Sequence, residues 1–332
     1  MIFLTGGTGL VGMRVLYDLV VSGETVRALK RPSSDLDKVR EVFDFYHGRD
    51  TDKLFEKIDW VNGDLLDVVS LQDAMKGCDE VIHAAAMVSF HPREADLLYQ
   101  MNVLGTRYMV DVALESGIQR FLHISSVAAL GRKNDGVAIN EQSKWVDGLD
   151  ASGYARSKYG AEQEVWRGAE EGLSVVIVNP VVVVGAGRAE HSSGQIFAGA
   201  SGRKWYINGM ISLVDVRDVS KMALQLMRSD VRSERFVLCS QDLENQKFME
   251  FMSHAMEVDP PTKQAPTWML EVAWRVVALK DLIFRTKSLL TKETVKGSLN
   301  RYSYDTSKVK DSLDVAFIPV RQSLEYFAPF YR

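Results

Sequence analysis

The feature that most limits how this chain can fold lies in its first twelve residues. Ile2-Phe3-Leu4-Thr5 is a short apolar run that reads as a buried strand. It passes at once into Gly6-Gly7-Thr8-Gly9-Leu10-Val11-Gly12, where a helical pattern over Gly9–Ser22 begins. A strand that must turn into a helix so abruptly needs glycine. Gly6 permits the tight turn, Gly9 the close approach of backbone to a phosphate, and Gly12 the packing of helix on strand. The helix start then offers unpaired N–H groups and a positive dipole end to an anion. A glycine triplet alone is a weak signal, and the strand before it and helix after it make it specific. With Thr8, Leu10 and Val11, these residues are the expected phosphate-binding turn for a dinucleotide.

Short apolar runs alternate with longer helical patterns over the first two-thirds of the chain, as in βαβ units of a parallel sheet. The expected strands are Ile2–Thr5, Thr25–Lys30, Asp59–Asn62, Glu80–Ala84, Arg120–Ser125 and Ser174–Asn179, with Arg235–Cys239 later. Helical patterns fill Gly9–Ser22, Ser70–Lys76, Ala95–Ser116 and Tyr154–Glu171. Val, Ile and Leu dominate the strands without alternation, so helices should cover both faces. After Asn179 the rhythm breaks: 185–208 reads as loop with a short helix at Gln195–Ala200, Asp215–Met227 as helix, and the chain from Trp268 as mostly helical. The expected fold is α/β, a doubly wound Rossmann sheet with a smaller, mostly helical C-terminal substrate domain. Residues 1–180 plus about 213–240 form the NAD(P)-binding part, and about 181–212 plus 241–332 the substrate part.

Composition excludes several classes. A net charge of −4 gives no basic field for nucleic acid. Cys78 and Cys239 are the two cysteines and have no CxxC spacing, which fits a reducing cytoplasm rather than a disulfide framework. No HxxH, HExxH or Cys/His pairing predicts a metal. The start of the chain lacks the charged and apolar regions of a secretory signal. Trp268–Phe284 is the most membrane-like stretch, but Glu271, Arg275, Lys280 and Asp281 interrupt it. It reads as an amphipathic helix rather than a transmembrane segment, and attachment to a membrane surface stays open.

The second strand should end at the adenosine ribose. A carboxylate there suits NAD and a basic residue the 2′-phosphate of NADP. This strand ends in Lys30-Arg31, with no acid before Asp35, so NADP is preferred over NAD. The alternative is that both are solvated surface charges.

Tyr154-Ala155-Arg156-Ser157-Lys158 opens a helix, and the i, i+4 spacing puts Tyr154 and Lys158 on one face. The Lys158 ammonium is expected to lower the phenol pKa and make Tyr154 a general acid or base for a carbonyl/alcohol pair. Ser126, at the end of a strand, can hold the substrate oxygen beside it. Tyr304…Lys308 repeats the spacing without such a strand upstream and reads as structural, with Lys308 solvated. His83 and His123 read as satisfied core histidines, and His191 as a substrate-contact candidate in a loop.

Taken in order, the glycine turn, Gly63-Asp64-Leu65, His83-Ala84-Ala85-Ala86, Asn102-Val103-Leu104-Gly105-Thr106, Ser125-Ser126, Tyr154…Lys158, Asn179-Pro180 and Leu213–Val219 cover nearly the whole chain. This set resembles the extended short-chain dehydrogenases/reductases, the NAD-dependent epimerase/dehydratase family. It is most similar to dihydroflavonol-reductase-like and 3β-hydroxysteroid-dehydrogenase-like members. The resemblance implies that Asp64 and Leu65 meet the adenine, that Ala84, Ala85 and Ala86 line the ribose and nicotinamide side, and that Asn102 braces the active-site strands. It also implies that the backbone after Pro180 meets the nicotinamide carboxamide. Ser126 matches the catalytic hydroxyl and Ser125 its neighbour against the cofactor, although a one-residue strand shift would exchange them. The helices Ala95–Ser116 and Tyr154–Glu171 resemble the family's dimer-forming pair, so a homodimer is expected, although apolar helix faces also serve plain core.

Three reactions share such a scaffold. Val127-Ala128-Ala129 carries no carboxylate beside Ser126, which disfavours sugar dehydration. No arginine stands just before Leu213–Val219 to bind a sugar nucleotide's diphosphate, although Arg203 and Lys204 are candidates. Phe197, Trp205, Tyr206, Met210 and Ile211 suggest an apolar pocket. The expected function is therefore NAD(P)(H)-dependent reduction of a ketone or aldehyde of a rather apolar small molecule, or oxidation of its alcohol. The alternatives are a nucleotide-sugar epimerase and a non-catalytic NAD(P)-binding protein.

Overall fold

A computed structural model describes residues 1–48, 51–132, 136–146, 151–188, 193–199, 204–284, 286, 288 and 290–332. Its strands are β1 (Ile2–Thr5), β2 (Val26–Lys30), β3 (Ile58–Asn62), β4 (Glu80–His83), β5 (Arg120–Ile124) and β6 (Val175–Pro180). They continue as β7 (Val182–Val184), β8 (Trp205–Tyr206), β9 (Met210–Asp215), β10 (Glu234–Leu238), β11 (Gln241–Glu244) and β12 (Lys263–Gln264). Seven of them form one sheet in the order β10-β6-β5-β4-β1-β2-β3. All of its pairings are parallel, with Ile2 in register with Val26 on one side and Glu80 on the other. Every residue of β1, β5 and β6 is buried, which is why these runs show no polar alternation. The strand order reverses at β1, opening a crevice between the C-terminal ends of β1 and β4.

Apolar side chains fill both faces of the sheet. Leu16, Leu19, Met222 and Leu226 belong to one core cluster, and Leu71, Met109, Val110 and Val165 to the other. The C-terminal helix Val320–Tyr331 returns to the first cluster through Leu324, Phe327 and Ala328. Among the described residues, no helix is long and apolar enough to cross a membrane.

Each expected sheet strand lies within one residue of its observed bounds, and the expected break after Asn179 hides more order than the sequence suggested. There, β11-β9-β7 form a three-stranded sheet and β12-β8 a two-stranded one. The partners are distant in sequence and β8 and β12 are two residues each, so neither apolar periodicity nor a turn motif marks them. Helices Leu36–His47 and Asn245–Ala255 also lay outside the sequence reading, their buried positions diluted by charge.

Candidate active site

The glycine turn is built tightly against the end of β4. Gly6 has φ +77°, and a Cβ there would lie 2.5 Å from the Ala84 carbonyl carbon and Ala85 nitrogen. A Cβ on Gly12 would stand 2.0 Å from the Gly6 oxygen, so Gly12 fits the helix to the turn itself. The Gly9 N–H donates to that same oxygen at 2.9 Å. Helix Leu10–Val21 starts at Gly9 without a side-chain cap and without an acid in its first turn. Its first N–H groups therefore remain for an anion. Thr8, Leu10 and Val11 are half-buried beside the turn, and Ala84 and Ala85 are half-buried and Ala86 exposed along the crevice. This glycine-walled cradle with an uncapped helix start suits a dinucleotide pyrophosphate.

At the far end of the crevice, the Lys30 ammonium donates to Asn62 Oδ1 at 2.7 Å while Arg31 is exposed. Asp64 is exposed after β3 and accepts the Leu66 N–H at 2.9 Å; Leu65 packs beneath it. Pro180 closes β6, fully buried, and Val181 N–H donates to Leu238 O at 3.1 Å.

Ser126, Tyr154 and Lys158 meet at the ends of β5 and β6. Ser126 caps a short turn, its hydroxyl oxygen accepting the Ala128 N–H at 3.1 Å, which leaves its own proton to donate. The Asn179 amide donates to the Ser126 carbonyl at 3.0 Å and fixes that corner. Tyr154 stands in the first turn of helix Gly153–Glu170, which Ser152 caps. Burial raises the phenol above its ordinary pKa, and a hydrogen bond with Ser126 and the charge of Arg132 oppose that rise. Lys158 is buried and donates to Ile124 O at 3.2 Å. Burial lowers its ammonium to about 8, with Glu162 opposing.

Asn102 joins the two halves of the site. It lies in a π-helical segment, Tyr99–Leu104, a distortion frequent at functional sites. Its amide oxygen accepts Met87 N–H at 2.7 Å, and its nitrogen donates to Met87 O and Ser157 Oγ, each at 2.9 Å. Ser157 in turn donates to Tyr154 O at 2.8 Å. The loop after β4 is thus tied to the helix that carries the tyrosine.

Several expectations change. Besides the expected Lys158, whose ammonium donates to Ile124 O at the end of β5, Ser126 and Arg132 act on the Tyr154 phenol. Ser125 is buried, its hydroxyl donated to Glu162 at 2.8 Å. Tyr304 sits in an isolated bridge to Ile139, outside a helix, in keeping with the structural role read for it. Lys308 is half-buried rather than freely solvated: it donates to Arg235 O at 2.9 Å and pairs with Glu234 at 2.6 Å. Phe197 is core, stacked on Tyr331 at 4.5 Å, rather than pocket wall. His83 is satisfied by Thr5 and Thr106, but neither ring nitrogen of His123 has a hydrogen-bond partner of normal geometry among the described residues. His191 and Arg203 lie outside the described residues, and Lys204 is exposed.

Sequence reasoning missed Arg132, Glu162 and Ser157. Glu162 stands one turn beyond Lys158, so its spacing was a usable signal. It is buried and accepts from Ser125, from Asn179 at 2.8 Å and from Arg235 at 2.7 Å. No local pattern marks Arg132, which reaches the site only through the fold.

The NAD dependent epimerase/dehydratase family matches residues 2–239. A Synechocystis protein provisionally named dihydroflavonol 4-reductase is 33% identical over 97% of this chain and 92% of its own length. Cinnamoyl-CoA reductase 1 of Petunia hybrida is 27% identical over 97% of this chain and 89% of its own. The NAD-bound crystal structure of a dTDP-glucose 4,6-dehydratase from Streptomyces venezuelae shares the fold, with a TM-score of 0.77 at 18% identity over 100% of this chain and 96% of its own. The chain belongs to the NAD-dependent epimerase/dehydratase family, the extended short-chain dehydrogenases/reductases, and is an NAD(P)-dependent enzyme of that type.

Proposed function

We propose that the chain reduces the ketone or aldehyde carbonyl of an apolar small molecule, with Tyr154 donating the proton. The observation that carries this reading is the Tyr154 phenol, raised by burial and hydrogen-bonded to Ser126. A phenol kept protonated at neutral pH is placed to give its proton to a carbonyl oxygen as that oxygen gains charge. A bound nicotinamide supplies the hydride. Ser126 orients the carbonyl through its hydroxyl, Lys158 contributes a buried positive charge, and Asn102 holds the tyrosine helix against the loop after β4. No carboxylate follows Ser126 in Val127–Ala129, so acid-assisted dehydration has no local partner.

NADPH is the preferred cofactor, since exposed Arg31 and half-buried Lys30 suit a 2′-phosphate. Residues 1–180 with about 213–240 hold it, and the remainder covers the substrate. Two free, buried cysteines fit a cytoplasmic location, and helices 95–116 and 153–170 are the proposed homodimer face.

The test is nicotinamide absorbance with NADPH or NADH and a panel of apolar ketones and aldehydes. Stoichiometric NADPH loss that disappears in Tyr154→Phe, with cofactor binding retained, supports the reading. Conversion of a nucleotide sugar without net cofactor change would replace it by epimerisation. Cofactor binding indifferent to Tyr154 and without turnover would replace it by a binding role.

A further inference from the structure

Helix Thr267–Phe284 is apolar on two opposite faces. Leu270 and Trp274 turn inward onto a small cluster with Ala265, Val295 and Leu299. Trp268, Val272, Val276, Leu279 and Ile283 lie on the other side, each between 53% and 68% exposed. At about 100° per residue, these five fall within an arc of roughly 80° and run about 22 Å along the helix. Arg275, ion-paired to Glu271, borders the stripe on one side and Lys280 on the other. Such a stripe is not ordinary surface, because a soluble helix that buries one face normally presents polar residues on the other.

Charge indicates what covers it. The chain as a whole is net −4, yet 263–301 carries eight Lys and Arg residues against three Asp and Glu. One of those acids, Asp281, is turned inward and accepts from Thr286 and Ser288. An apolar stripe within a basic segment of an otherwise acidic protein complements an anionic bilayer, where apolar side chains enter the acyl boundary and basic ones meet the headgroups. The same charge would oppose pairing of two copies across this face.

The opposite, inward face of the same helix lies toward the active site. His91 acts electrostatically on Asp281, and Arg156 on Glu293. His91 follows Phe90, whose ring meets Tyr154 edge-on at 5.6 Å, and Arg156 lies two residues beyond that tyrosine. We propose that the outward stripe of helix Thr267–Phe284 seats the protein on an anionic lipid surface, with its inward face toward the active site. Uptake of an apolar substrate from the bilayer rests additionally on the reductase reading; the docking does not.

The test is co-sedimentation of the full chain with phosphatidylcholine vesicles with and without phosphatidylglycerol, at low and high salt. Binding is expected with phosphatidylglycerol only, weakened by salt and accompanied by a blue shift in Trp268 fluorescence. Val276→Asp with Ile283→Asp should reduce binding at least tenfold, and Lys280→Gln about fivefold. Both Asp positions are exposed, so NADPH binding and thermal stability serve as controls for folding. Absence of binding to anionic vesicles at low salt, or binding unaltered in the double variant, overturns the proposal. So does a wild-type dimer that ignores vesicles and dissociates in the double variant, which would assign the stripe to a second copy. Vesicle binding is scored without substrate and turnover separately on a water-soluble carbonyl, so the two readings fail independently.

Discussion

The Ser125 hydroxyl donates to the buried Glu162 carboxylate at 2.8 Å, so of two adjacent serines only Ser126 is left to the Tyr154 phenol. The alternation of a strand end turns neighbouring side chains to opposite sides. Ser126→Ala should lower kcat about a hundredfold, the scale of losing one donor to a developing oxyanion. Ser125→Ala should leave kcat within a few-fold and cost about 2 kcal/mol of stability, because a buried carboxylate loses a hydrogen bond. Steady-state kinetics and thermal unfolding of the two variants decide it; equal kinetic losses would sink the distinction.

Glu162 should also set the alkaline limit of activity. Lys158 is lowered to about 8 by burial, and Glu162 works against that. Its ammonium is present below that pH and lost as pH rises through it, so kcat/KM should fall above about 8. Stability should move the other way. The unfolded lysine keeps its proton to about 10.4, so between these values the unfolded chain binds more protons and folding gains as pH rises. Glu162→Gln removes the opposing charge and should bring the alkaline limb to lower pH, with about threefold less activity than wild type near that limb. An unmoved pH profile in this variant would show that Glu162 acts only through packing.

Arg132 offers a separate handle on the phenol. Its charge lowers Tyr154, and its Nε is buried without a hydrogen-bond partner among the described residues. Arg132→Leu should leave Tyr154 a weaker acid and reduce kcat about tenfold. Arg132→Lys, which keeps a charge but not the planar guanidinium, should recover part of that loss. If Leu and Lys behave alike in the pH dependence of kcat, charge is not what Arg132 contributes.

The contrast between Lys158 and Arg132 shows what the sequence could carry. Strand positions, the glycine turn and the Tyr154–Lys158 spacing are local, because sterics and helical period write them into neighbouring residues. The Ser126 corner was legible for the same reason, and its separation from Ser125 needed only a strand register. That Arg132 also acts on the phenol is a long-range fact. Lys158 lies one turn away in sequence but donates to the Ile124 carbonyl, while Arg132 arrives from the segment beyond β5. The small sheet of β7, β9 and β11 escaped notice similarly, since its pairings join residues that no window contains together. His123 reads like His83 as a buried strand histidine, and only the three-dimensional surroundings separate the satisfied ring from the unsatisfied one.

That difference leads to a prediction about acid stability. His83 and His123 are stacked at 5.3 Å in the middle of the sheet. Burial lowers His83 to about 3 and His123 well below its ordinary value, and the Lys158 charge adds to both. Unfolded histidines titrate near 6.5, so below that pH the unfolded chain takes up protons that the native rings refuse. Folding should therefore weaken as pH falls from 6.5 toward 3, by about 1.4 kcal/mol per pH unit for each ring, with no such penalty above 7. His123→Phe removes one titrating ring at little cost in hydrogen bonding, since neither nitrogen has a partner of normal geometry among the described residues. Between pH 7 and 5 the variant should retain about 2 kcal/mol that the wild type loses, or roughly 4 °C in Tm. Parallel Tm curves for the two proteins across that range would mean that His123 is not an acid-labile point of this core.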